Sequence, residues 1–257
     1  MGANNVGHFN IYLINNSGYL SRKNIKTEMK FIVIEGLDGA GKSTQINLLK
    51  EYLTDQKITY KYLHFPRTDS PVFGELIARF LRGEFGNINS VNPYLVALIY
   101  AGDRMDASTK IKKWLEQKYL VVTDRYLYSN IAFQCAKIKD KDEKEKLKKW
   151  IKYLEYNYHK IPKPHLSLFL DVPLTFTAEK LVRKRFGNDR DYLKGKKDIH
   201  EVDLNFQKQV RNVYLSEVES DKNFITIDCS QDKDNIAPPE HIFKKIIKTL
   251  REKKIIT

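Results

Sequence analysis

Short apolar runs alternate with amphipathic stretches along most of the chain. Five runs stand out: Phe31-Ile32-Val33-Ile34, Thr59-Tyr60-Lys61-Tyr62-Leu63, Leu120-Val121-Val122, Leu166-Ser167-Leu168-Phe169-Leu170 and Phe224-Ile225-Thr226-Ile227. The polar and apolar spacing between them predicts helices over about 43–55, 72–82, 93–118, 126–137, 142–159, 174–185, 200–219 and 238–253. This alternation is the signature of an α/β fold, a parallel sheet covered by helices. Crossovers in such sheets are right-handed, and ligands collect at the carboxyl ends of the strands. Residues 1–28 break the pattern. They are Asn-rich, poor in acids and without a period, which predicts a poorly ordered extension before a domain spanning 29–257. The extension lacks the long apolar core of a secretory signal, and its single arginine, Arg22, does not suit a transit peptide.

Composition narrows this picture in three ways. A chain of 257 residues with 13 Phe and 15 Tyr can build one large core. No apolar run approaches the ~20 residues that cross a bilayer, so no membrane association is expected. The two cysteines, Cys135 and Cys229, have neither metal spacing nor the density of a disulfide framework, so a reducing compartment, the cytoplasm, is the expectation. The formal charge of +13 attracts polyanions, either nucleic acid or phosphorylated small molecules. Charge alone does not choose between them. Much of the excess lies in Lys137 to Lys149 and around Lys244, Lys245 and Lys248, where a solvated helix face accounts for it.

Candidate chemistry begins where the first strand ends. Gly36-Leu37-Asp38-Gly39-Ala40-Gly41-Lys42-Ser43-Thr44 is G-x-x-x-x-G-K-[ST], set between a strand and a helix. Glycines let the backbone turn its N–H groups onto phosphate oxygens, and the following helix adds the positive end of its dipole. Gly36, Gly39, Ala40, Gly41, Lys42, Ser43 and Thr44 therefore form a candidate ATP cradle. Lys42 would reach the β- and γ-phosphates, and the Ser43 hydroxyl would ligate magnesium. A chance match in a chain of this length is on the order of one per cent. The loop identifies a nucleoside triphosphate but not a reaction, although no N-K-x-D guanine signature is present.

The other strand ends point to an acceptor that is itself a phosphate ester. Phe65-Pro66-Arg67 follows the second strand and Asp124-Arg125-Tyr126 follows the third. An arginine fork suits a phosphate monoester, and two from neighbouring strands would grip one. Tyr100 and Arg104 stand four apart on the long third helix, with Cβ atoms about 5–6 Å apart. A ring that stacks on a base beside a guanidinium that reads its carbonyl fits this spacing, as does a core tyrosine beside an exposed arginine. Asn130 and Phe133 pose the same alternatives. Arg183, Arg185 and Arg190, in Arg183-Lys184-Arg185-Phe186-Gly187-Asn188-Asp189-Arg190, could close over the donor phosphates and exclude water, forming a lid over about 183–197.

In this order the motifs resemble the thymidylate kinase family across nearly all of residues 29–253. The matching runs are 31–45, Phe65-Pro66-Arg67, Tyr100-Ala101-Gly102-Asp103-Arg104 and Asp124 to Phe133. The resemblance implies a P-loop NTPase three-layer sandwich whose five-stranded parallel sheet runs 2-3-1-4-5. It implies transfer of the γ-phosphoryl group of ATP to dTMP, with Mg2+ held by Ser43 and Asp124, in a homodimer that has no nucleic-acid partner. Asp38 would contact the sugar 3′-hydroxyl and help organise transfer. Arg67 and Arg125 would hold the acceptor phosphate, Tyr100 stack on the base and Arg104 bond its carbonyl. Asn130 would meet the base edge, and Phe133 pack under the deoxyribose. Gly39 stands where some members carry a basic residue, which shifts the catalytic arginine to the lid and leaves open which of Arg183, Arg185 and Arg190 acts. A deoxynucleoside kinase and a nucleic-acid-binding P-loop protein are the alternative readings.

Overall fold

Phe31–Gly36 is buried from end to end, as a strand covered on both faces must be. The computed structural model describes residues 12–14, 20–22, 30–88, 90–182, 193–194, 204–232 and 234–257. In chain order, β1 (Tyr12–Ile14) and β2 (Leu20–Arg22) pair antiparallel. The main sheet holds β3 (Phe31–Gly36), β4 (Tyr60–His64), β5 (Leu120–Asp124), β6 (Leu166–Asp171) and β7 (Phe224–Asp228). All four of its ladders are parallel, in the order β4-β5-β3-β6-β7. Counted from β3, this is the expected 2-3-1-4-5. The half-buried edges β4 and β7 carry the more mixed sequences.

The helices are α1 (Lys42–Asp55), α2 (Phe73–Leu81), α3 (Pro93–Glu116), α4 (Leu127–Cys135), α5 (Lys141–Lys152), α6 (Leu174–Val182), α7 (Leu204–Ser220) and α8 (Pro239–Glu252). α1 packs on α8, while α4 lies between α3 and α7 and reaches β3. Two departures from the predicted helices bear on the site. The helix expected over about 142–159 stops being α-helical at Lys152 and continues as a π-helical turn over Tyr153–Tyr158. The helix expected from 126 starts at Leu127, because Arg125 takes a left-handed φ of 64° and Tyr126 is extended. The order β4-β5-β3 sets the ends of the strands that lead into Arg67, Arg125 and the phosphate loop side by side.

Candidate active site

Gly39 and Gly41 take left-handed φ values of 79° and 76°, which turn the loop back on itself before α1. Among the described residues no side chain caps α1, which leaves its first N–H groups without a side-chain partner at the cap. The Lys42 amine bends over this loop, donating to the Leu37 carbonyl at 2.9 Å and the Gly36 carbonyl at 3.4 Å. Burial, with Arg125 beside it, pushes that amine down to about 8 against the pull of Asp124, Asp38 and Glu35. Ser43 and Thr44 lie exposed at the start of the helix.

Arg125 meets the same loop from the neighbouring strand. One Nη donates to Asp38 Oδ1 at 2.6 Å and the other to Ser129 Oγ at 3.1 Å, and the guanidinium lies 5.0 Å from the Phe133 ring centroid. Burial works against its charge, but Asp38 opposite it, together with Tyr214, Asp124 and Glu35, outweighs that and raises its pKa. Gln207 of α7 donates to the other Asp38 oxygen at 3.2 Å. Beneath this pair lies Glu35, which sequence reasoning passed over. Its carboxylate accepts the main-chain N–H groups of Tyr126 and Ser129, at 2.9 and 3.3 Å, and so caps α4 from outside the helix. The Ser129 and Tyr214 hydroxyls also donate to it. Burial raises its pKa, and these hydrogen bonds together with Arg125 offset only part of the rise. An acid closing an apolar strand was the available signal, since a buried carboxylate must find partners.

Asp124 is buried, with Oδ2 at 3.2 Å from His64 Nδ1 and Oδ1 without a hydrogen-bond partner among the described residues. Burial pushes its carboxyl up, yet the hydrogen bond and charge of His64, with the Lys42 and Arg125 charges, together outweigh this and keep its pKa below the ordinary value. An ionised carboxylate with a spare oxygen, and a serine hydroxyl at the start of α1, are donors that suit a hard divalent cation, which takes one or two protein oxygens and fills its shell with water and phosphate.

Arg67 is tied to α3. Its main-chain N–H and Nε donate to the two oxygens of buried Asp103, at 2.9 and 2.8 Å, and Nη2 donates to the Asp103 carbonyl and Asp106. Among the described residues the structure joins Arg67 by hydrogen bonds to neither Asp38, Arg125 nor Lys42, and Nη1 is what it leaves to a ligand.

Arg104 departs furthest from the exposed alternative. It is 1% exposed and gives Nε and Nη2 to the two oxygens of Glu155, the latter at 2.7 Å. Asn130 Nδ2 bonds the same Glu155 at 2.9 Å and the Ala97 carbonyl at 3.0 Å, while its Oδ1 has no hydrogen-bond partner among the described residues. Tyr100 is half-buried against the apolar cluster of Ile77, Phe80, Leu81, Val96 and Leu193. Phe133 packs edge-on to Phe206 of α7, with ring centroids 6.1 Å apart. Arg183, Arg185 and Arg190 lie outside the described residues, as does most of the expected lid.

Comparison with known proteins converges on one family. Residues 34–238 match the family model described as thymidylate kinase. A probable thymidylate kinase from Pyrobaculum aerophilum is 30% identical over 224 residues, covering 86% of this chain and 99% of the relative. The thymidylate kinase of Mycobacterium tuberculosis is 31% identical over 183 residues, 71% of this chain and 83% of its own. The solved structure of thymidylate kinase from Candida albicans superposes with a TM-score of 0.65 at 26% identity, covering 88% of this chain and 93% of that one.

Proposed function

The chain belongs to the thymidylate kinase family, and from that premise we propose which of its residues perform the reaction. The protein is a nucleoside monophosphate kinase that transfers the γ-phosphoryl group of ATP to dTMP, giving ADP and dTDP. The observation that carries the assignment of roles is the 2.6 Å pair between Arg125, from the end of β5, and Asp38 in the phosphate loop. It supports reading Arg125 as an acceptor-phosphate ligand held against the donor cradle, the arrangement in-line transfer needs.

In this reading the backbone from Gly36 to Gly41, with Ser43 and Thr44, holds the donor phosphates. Lys42 moves its ammonium from the Leu37 carbonyl to the phosphate oxygens. Ser43 and Asp124 would hold Mg2+, which would supply neutralisation of the charge on the donor phosphates. Asp38 keeps Arg125 in register until an acceptor phosphate shares the guanidinium. Arg67, held by Asp103, takes the other side of that phosphate. Phe133 supports the sugar, Tyr100 stacks on the base, and Arg104 with Asn130 meets the base edge. Arg183, Arg185 and Arg190 belong to the closing segment that supplies further positive charge.

We also place the enzyme in the cytoplasm and propose that it works as a homodimer. The dimer is supported by an apolar stripe on α3, where Leu95, Leu98 and Met105 are 59%, 44% and 39% exposed. Among the described residues no helix is long and apolar enough to cross a membrane. An ADP-release assay with ATP and Mg2+, run in parallel on dTMP, dUMP and thymidine, tests the reading. Turnover with dTMP is expected; turnover with thymidine and none with dTMP would reassign the protein to nucleoside phosphorylation.

A further inference from the structure

Glu155 is fully buried, and both of its oxygens are spent on two side chains from two other helices. It sits on the inward side of the segment that also buries Leu147, Ile151 and Leu154, where an apolar residue would serve packing at least as well. Buried ion pairs give little net stability over a well-packed apolar substitute, so their geometry is the more informative feature. Here the geometry is restrictive. Arg104 commits Nε and Nη2 to the carboxylate, which leaves Nη1 to present N–H groups. Asn130 commits Nδ2 to Glu155 and to the Ala97 carbonyl. Both contacts are with acceptors, so the amide cannot flip without losing them, and Oδ1 must face the other way. That oxygen is buried and has no hydrogen-bond partner among the described residues. Glu155 lies in the π-helical turn, a feature frequent at functional sites.

The cluster therefore presents a charged donor and a bare acceptor. A thymine or uracil edge offers the complement, a carbonyl oxygen at C4 and an N–H at N3. Cytosine inverts both, with an amino donor at C4 and a bare nitrogen at N3. We propose that Glu155 is a positioning residue for base selection: by fixing Arg104 as donor and Asn130 as acceptor, it makes the pocket accept 4-oxo pyrimidines and reject 4-amino ones. The inference rests on the reading of this pocket as the dTMP site. Glu155 touches no substrate and acts through the two side chains it holds. With an amide at this position, one NH2 group confronts donors, only the Ala97 carbonyl still opposes a flip of Asn130, and the acceptor is less strictly enforced.

The test is discrimination, measured as the ratio of kcat/KM for dTMP to that for dCMP, in the full chain with ATP and Mg2+. Glu155→Gln should lower this ratio about tenfold or more, mostly through a higher KM for dTMP, because a site built to pair polar groups rejects by leaving them unpaired. The KM for ATP should stay within about twofold, since the phosphate loop is not involved. Glu155→Asp keeps the charge opposite Arg104, and so protects the fold if the Gln variant fails. It withdraws the carboxylate by about 1.5 Å and should lower the ratio by a smaller factor in the same direction. Either variant, folded by circular dichroism and with the ratio unchanged, overturns the proposal. A purely structural Glu155 would lower thermal stability and leave the ratio alone. Wild-type protein that fails to phosphorylate dTMP would overturn the pocket reading itself, whatever the variants do.

Discussion

Arg125 occupies a left-handed backbone conformation that few residues with a Cβ adopt, and its chemistry accounts for keeping an arginine there. The fork divides between Asp38 and Ser129, which a single ammonium could not do in the same plane. Arg125→Lys should therefore lower kcat for dTMP by about 10²–10³-fold with the fold intact, read by steady-state kinetics beside a circular dichroism spectrum. Lys42 carries a second prediction. Burial pushes its amine down to about 8 in the ligand-free fold against an ordinary 10.5, and in the proposed role it is the protonated form that binds phosphate. As pH rises through about 8, ATP measured by calorimetry in EDTA should bind progressively less tightly, by up to about tenfold per pH unit. Lys42→Met should flatten that profile. The same depressed pKa disfavours the ligand-free fold below pH 8, a penalty relieved as pH rises from about 8 towards 10.5, because the unfolded chain then binds more protons.

At the scale of elements, α3 would organise the proposed acceptor side, since it carries Tyr100, Asp103, Arg104 and Asp106 within two turns. Gly102 lies among them because α2 crosses close by, and a Cβ built there would sit 2.1 Å from Phe73 Cε1. Gly102→Ala should destabilise the protein by about 1–3 kcal/mol, despite the better helix propensity of Ala. The measurable results are a Tm lower by several degrees and, because α2 packs against the Arg67 loop, a raised KM for dTMP. Helix α4 shows the reverse dependence. Its N–H groups are capped by Glu35, 91 and 94 residues earlier in the chain, so the helix start and the Arg125 position are fixed together by the strand that precedes the phosphate loop.

For the whole molecule, the parallel sheet lines up the strand ends and leaves the outer face of α3 uncovered. Leu98→Glu should convert a dimer to a monomer in sedimentation velocity, since a charge at the centre of an apolar interface is left unpaired. A wild-type protein that already sediments as a monomer would remove the dimer from the proposed function. The net charge of +13 is consistent with a pocket for two phosphorylated ligands and does not require a nucleic-acid partner.

The sequence determined the strands, most helix spans, the phosphate loop and the family, because each is encoded in residues adjacent in the chain or repeating with a fixed period. The inward place of Glu155 was also legible, four residues after Ile151 and eight after Leu147 on one apolar stripe, although an acid on that stripe was not singled out. Only the tertiary structure decided which charges meet. Arg104 finds Glu155 51 residues away, Arg125 finds Asp38 across 87, and Gln207 reaches Asp38 across 169. Such pairings depend on the sheet order and on where helices cross, and no local period carries that information. Arg104 could be read from spacing as exposed or as a base ligand, but only folding could bury it against an acid on another helix.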